Sequence, residues 1–130
     1  MRTTGSCLCG GLKFEIDVGD GEVYQCHCSI CRRATGSSAN ANLVVNSTDF
    51  KWLDDPVTLN HYSVKEDWIS SFCSTCGAKA PCESTDKKIY YVPAGSLKES
   101  HGLRVTKHIF VGSKAEWDII GGNAEQREGA

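Results

Sequence analysis

Seven of the eight cysteines fall in three short runs, Cys7-Leu8-Cys9, Cys26-His27-Cys28-Ser29-Ile30-Cys31 and Cys73-Ser74-Thr75-Cys76, with Cys82 apart. Thiolates one or two residues apart can turn inward onto a single tetrahedral ion at about 2.3 Å. Disulfide partners are more often spread along a chain, where they close long loops. The first 25 residues hold no apolar stretch like the core of an export signal, because Lys13, Glu15, Asp17, Asp20 and Glu22 interrupt them. The expected compartment is therefore a reducing cytoplasm, in which structural disulfides are rare. The runs read as metal sites, with a disulfide framework or plainly buried thiols as the alternative. A thiolate-rich site is soft and favours zinc, although iron is compatible with the spacing.

Seven clustered cysteines are one short of two complete four-thiolate sites. Cys26, Cys28 and Cys31 can surround one ion within a single short loop. Cys7 and Cys9 would then join Cys73 and Cys76 and staple the N-terminal segment to a distant turn. That four-sulfur site is closed, and closed sites are structural; a three-sulfur site keeps a position open, as catalytic zinc does. Structural zinc of this kind can contribute on the order of 10 kcal/mol to folding. A zinc ribbon pairing Cys28 and Cys31 with Cys73 and Cys76 is the rival division. Its loop exceeds the usual spacing of roughly 15–20 residues, and it leaves Cys7, Cys9 and Cys26 unexplained. Counting favours four plus three without proving it.

The elements that must carry these cysteines read as strands. Leu12, Phe14, Ile16 and Val18 alternate with Lys13, Glu15 and Asp17, the period-two pattern of a half-buried strand. Further strands are expected over 23–25, 39–45, 58–64, 68–72, 89–92 and 108–111, with a turn at 46–49 and one turn of helix over 34–38. No long segment with a 3.6-residue period occurs. With 130 residues, 40% hydrophobic and 23% charged, the chain fits one globular domain and not a disordered one. Residues 121–130 are polar and read as a loose tail. A net charge of −2 argues against nucleic acid as a partner. No segment approaches the roughly 18 apolar residues of a membrane span.

Gly5-Ser6-Cys7-Leu8-Cys9-Gly10 leading into Phe14-Glu15 resembles the opening of the glutathione-dependent formaldehyde-activating enzyme family, which includes centromere protein V. Cys26 to Arg33 and Phe72 to Gly77 resemble its next two motifs. Val92-Pro93-Ala94-Gly95-Ser96-Leu97, His108-Ile109-Phe110-Val111, Ser113-Lys114 and Trp117 are similar to its later segments. The resemblance implies an all-β, β-tent fold of small coiled antiparallel sheets stapled by zinc, with residues 1–120 as the domain. It implies two zinc ions per chain, a structural one on Cys7, Cys9, Cys73 and Cys76 and a catalytic one on Cys26, Cys28 and Cys31. It further implies a carbon–sulfur lyase that joins glutathione and formaldehyde into S-hydroxymethylglutathione. Lys79 and Pro81 depart from the family, which more typically starts an apolar strand there, and the chain after Ile120 is short and polar.

A zinc ion with three thiolates carries a net charge of about −1, so it is a weak Lewis acid, yet coordination still lowers the pKa of a substrate thiol. That thiolate would add to the aldehyde carbon while a nearby donor protonates the alkoxide. Arg32 and Arg33 follow the three-cysteine run and could clamp the carboxylates of a glutathione-like peptide, the plain alternative being a solvated basic turn. His27 is expected to shape the loop. His61, His101 and His108 read as surface or core-edge residues, with His108 the best candidate for a role. Cys82 reads as a small buried residue or a fourth internal ligand. Trp52, Trp68 and Trp117 read as core or pocket-wall aromatics. The competing reading is a non-catalytic zinc-stabilised binding module.

Overall fold

Alternation along the chain sorts side chains onto two faces, and the fold follows from how those faces are covered. In the computed structural model, which describes residues 1–100 and 102–130, β1 (Arg2–Ser6), β2 (Lys13–Asp17) and β5 (Phe50–Trp52) form a three-stranded antiparallel sheet in the order β1-β2-β5. Phe14 and Ile16 point inward and are fully buried, while Lys13 is exposed on the other side. A second, six-stranded sheet has the order β11-β10-β3-β4-β9-β8, built from β3 (Glu22–Cys26), β4 (Asn40–Asn46), β8 (Cys82–Glu83), β9 (Ile89–Pro93), β10 (Arg104–Ile109) and β11 (Glu125–Gln126). A separate hairpin pairs β6 (Leu59–Lys65) with β7 (Trp68–Cys73). The one α-helix of the described residues is α1 (Ser29–Thr35).

The six-stranded sheet has two different faces. Val23, Leu43, Val45 and Val92 project toward Phe14, Ile16 and Val18 and close the main core. The alternate residues Tyr24, Cys26, Asn42, Val44 and Tyr91 line a cavity on the other side, whose opposite wall comes from β7 and the segment after it. A single period-two pattern therefore builds the core and the cavity at once.

The all-β expectation holds, and six expected strands lie within two residues of observed ones. The seventh, expected over 108–111, is β10 and starts earlier, at Arg104. Three details differ. The helix covers Ser29–Thr35, earlier than 34–38, because Cys28 caps its N-terminus by accepting from the Cys31 N–H. The sheets are not uniformly antiparallel, since β10 runs parallel to both β3 and β11. The chain leaves β9 beyond β4 and next enters the sheet as β10 on the far side of β3, and a parallel pairing needs such a crossover. On the way Leu97 bridges Gly5 and the Lys98 N–H donates to the Thr4 carbonyl, so the crossover also closes over β1. Finally, residues 121–130 are not loose. β11 pairs with β10, the Arg127 N–H donates to the His108 carbonyl and the Phe110 N–H to that of Gly129. No helix of the described residues is long and apolar enough to cross a membrane.

The crossover needs a residue without a side chain at position 5. A Cβ there would meet the Phe14 ring and stand 2.8 Å from the Ser96 carbonyl oxygen, backbone that cannot swing aside. We expect Gly5→Ala to destabilise the domain by about 1–3 kcal/mol, read as a lower urea midpoint with an unchanged slope.

Candidate metal centres and the adjoining cavity

Each cysteine run is placed by the end of a strand. Cys7 and Cys9 occupy the turn between β1 and β2, and Cys73 ends β7, with Cys76 in the tight turn that follows. That turn closes with the Gly77 N–H donating to the Cys73 carbonyl at 2.7 Å, at a φ of +76° that suits glycine. The four sulfurs of Cys7, Cys9, Cys73 and Cys76 lie within 4.8 Å of one another. Cys7 Sγ is 3.6 Å from Cys9 Sγ, which is 3.8 Å from Cys73 Sγ. Tetrahedral coordination with 2.3 Å bonds spaces its sulfurs about 3.8 Å apart, so this group could hold a metal ion. No cysteine is in a disulfide.

Donors are already aimed at these sulfurs. The Leu12 N–H donates to Cys7 Sγ at 3.3 Å, and the Thr58 hydroxyl lies 3.4 Å from Cys73 Sγ. The Thr58 contact, followed by backbone N–H groups of the turn, lowers the Cys73 thiol to about 6.

The second group joins Cys26, the last residue of β3, to Cys28 and Cys31 at the start of α1, again within 4.8 Å. The Cys31 N–H donates to Cys28 Sγ at 3.3 Å. The Cys31 thiol, followed by the Cys28 backbone, lowers Cys26 to about 6; that same contact and burial push Cys31 up. The four-plus-three grouping is what the geometry brings together; the ribbon pairing of Cys28 and Cys31 with Cys73 and Cys76 is not found.

Cys26 opens onto a cavity of about 530 Å³. Its walls include Tyr24 and Asn42, opposite each other in the β3–β4 register, and Trp68, Lys79 and Cys82. Burial holds the Tyr24 phenol above its ordinary range, so it stays an O–H donor. Phe110 lines the same wall with a φ of 55°, an uncommon conformation for a bulky residue and of the kind that clusters at functional sites.

Other expected residues fall elsewhere. Arg32 and Arg33 sit on α1, but the helix turns Ile30 and Ala34 into the cavity and neither arginine lines it. The Arg32 Nε is buried without a hydrogen-bond partner, and the Arg33 Nε donates to the Ser29 carbonyl at 3.4 Å. Cys82 lies outside the three-sulfur group, with its Sγ near the carbonyls of Ile69 and Glu83. His27 and His108 are buried and their rings meet Nε2 to Nδ1 at 2.9 Å, with Asp118 3.7 Å from His27 Nδ1. Burial, then the His108 charge, lowers the His27 pKa. His61 is exposed and bonded to Ser71, whereas His101 lies outside the described residues. Trp52 packs beside both core clusters and Trp68 walls the cavity. Trp117 is a correction, being 73% exposed on the loop after β10. Tyr24, Asn42 and Lys79 went unassigned; their only sequence signal is strand alternation, and for Lys79 its departure from an apolar position.

A family model described as glutathione-dependent formaldehyde-activating enzyme matches residues 2–113. Among solved structures, the fold is similar to a crystal structure of a Rhodobacter sphaeroides protein, with a TM-score of 0.58 and 23% identity, covering 78% of this chain and 90% of that one.

The two groups should fail differently when broken. Cys76→Ser removes a sulfur that joins distant segments, and we expect insoluble or unfolded protein. Cys28→Ser disturbs one local loop, and we expect a folded domain that retains one metal ion fewer. Circular dichroism and metal analysis of the two purified variants check this; equal loss of folding would remove the distinction.

Proposed function

This chain belongs to the glutathione-dependent formaldehyde-activating enzyme family, and on that premise we propose a zinc-dependent carbon–sulfur lyase that joins a small thiol such as glutathione to formaldehyde or a related small aldehyde. The observation that carries this reading is the incomplete group of Cys26, Cys28 and Cys31 opening onto a cavity large enough for such a thiol. All-sulfur donors at tetrahedral spacing suit a soft divalent ion, one structural on the four-sulfur group and one catalytic on the three-sulfur group. The catalytic zinc would supply the Lewis acidity that keeps a substrate thiol ionised at neutral pH.

The remaining work falls to side chains of the cavity. Trp68 and Ile69 give the cavity an apolar wall. As sulfur attacks the carbonyl carbon, a carbon–sulfur bond forms and the C=O π pair moves to oxygen. The Tyr24 phenol, kept protonated by burial and lining the cavity, would hydrogen-bond that oxygen and give it a proton. The proton lost by the thiol restores the phenol, so the reaction balances and runs equally in reverse. Asn42, beside Tyr24 in the strand register, would be the second donor. Free thiols and this chemistry suit a reducing cytoplasm.

Exchange NMR with labelled formaldehyde and glutathione tests the proposal. The metal-replete protein should speed formation of the adduct above the spontaneous rate, and Tyr24→Phe should lower the catalysed rate about 100-fold without changing metal content. No acceleration by protein that binds the thiol would favour a binding module over an enzyme.

A further inference from the structure

One lysine of the cavity, Lys79, makes no ion pair with a carboxylate of the described residues, although Asp67, Glu83 and Ala130 also line the cavity. After the Cys73–Cys76 turn the chain comes back alongside β7, bridging Phe72 to Lys79, and this aims Lys79 into the cavity that Cys26 opens onto. The side chain is half-buried, and its Nζ donates to Ser70 Oγ at 3.1 Å. No carboxylate of the described residues lies within ion-pairing distance. The cavity's other lysine, Lys107, stands beside Glu125 in the β10–β11 register. Glu83, on the same wall, is engaged with Tyr90. Burial lowers the pKa of the Lys79 ammonium, and the charges of Cys31 and Cys82 offset part of that shift. A half-buried ammonium held by one hydroxyl is costly unless an anion arrives to meet it.

We propose that Lys79 and Ser70 anchor a carboxylate of the substrate thiol. The inference rests on the reading that a thiol occupies this cavity. An ammonium and a hydroxyl side by side offer donors to the two oxygens of one carboxylate. A phosphate would call for a denser set of charged donors, such as an arginine fork, and no arginine lines the cavity. Lys79 and Cys26 line the same cavity, so a carboxylate seated on Lys79 shares that space with the three-sulfur group. Arg32 and Arg33 do not line the cavity and are not part of this anchor.

Calorimetric binding to metal-replete protein compares 3-mercaptopropionate with its neutral amide, 3-mercaptopropionamide. The wild type should favour the acid about tenfold or more. Lys79→Met should bring the ratio near one by weakening the acid alone, and Lys79→Arg should restore part of the preference. Equal affinity for acid and amide in the wild type overturns the proposal, and so does equal weakening of both in Lys79→Met. Propionate, which has no sulfur, separates this anchor from the thiol reading. NMR shifts at Ser70 and Lys79 that saturate with millimolar propionate, and disappear at Ser70 in Lys79→Met or Lys79→Gln, support the anchor even where no thiol binds. Unshifted Ser70 and Lys79 signals in the wild type contradict it.

Discussion

Four sulfurs from turns 64 residues apart meet where the β6–β7 hairpin joins the rest of the chain, and a metal ion on them would hold it there. That pair forms a two-stranded sheet of its own, and almost every side chain of β6 is exposed. An isolated hairpin of this kind is marginal in water. Its attachment is a small cluster of Cys7, Leu12, Cys73 and Ala80, in which two of the buried members are themselves sulfur donors. Loosening the four-sulfur group therefore removes more than one knot of stability. Trp68, Ile69, Ser70 and Lys79 all lie on or just beyond this hairpin, so the cavity would lose a wall.

The opposite wall depends on a plainer constraint. Alternation in β3 and β4 commits Val23, Leu43 and Val45 to the core and leaves Tyr24, Cys26 and Asn42 on the other face. A slip of one residue in either strand would exchange the two sets, burying polar donors and exposing valines. The core thus protects the register that places the donors beside Cys26. The close approach of Phe14 to Gly5 and the crossover through Leu97 secure the far side of the same core.

What could be read from the sequence was what is local. The spacing within each cysteine run and the alternation from Leu12 to Val18 are set by neighbours along the chain, and most strands were placed from them, whereas the joining of Cys7 and Cys9 to Cys73 and Cys76 came from counting and from the family resemblance. Strand direction is not local, and nothing in residues 104–109 announces that β10 enters parallel to β3 after a crossover. β5, β8 and β11 are two or three residues long, too short for a period to register, and β1 carries no apolar side chain to mark one. Arg32 and Arg33 show the limit of adjacency: they follow Cys31 directly, yet a helix turns about 100° per residue and presents Ile30 and Ala34 to the cavity instead. Tyr24, Asn42 and Lys79 come together only because three separated segments meet.

The division of the cysteines into a closed and an open group is the claim on which the rest stands. Anomalous diffraction at the zinc edge from crystals of the metal-replete protein tests it directly. The account predicts two zinc peaks per chain, one ringed by the sulfurs of Cys7, Cys9, Cys73 and Cys76. The other should be held by Cys26, Cys28 and Cys31, with a fourth position filled by solvent or an added thiol. A single peak shared by Cys28, Cys31, Cys73 and Cys76, or a protein side chain completing the second site, would contradict it.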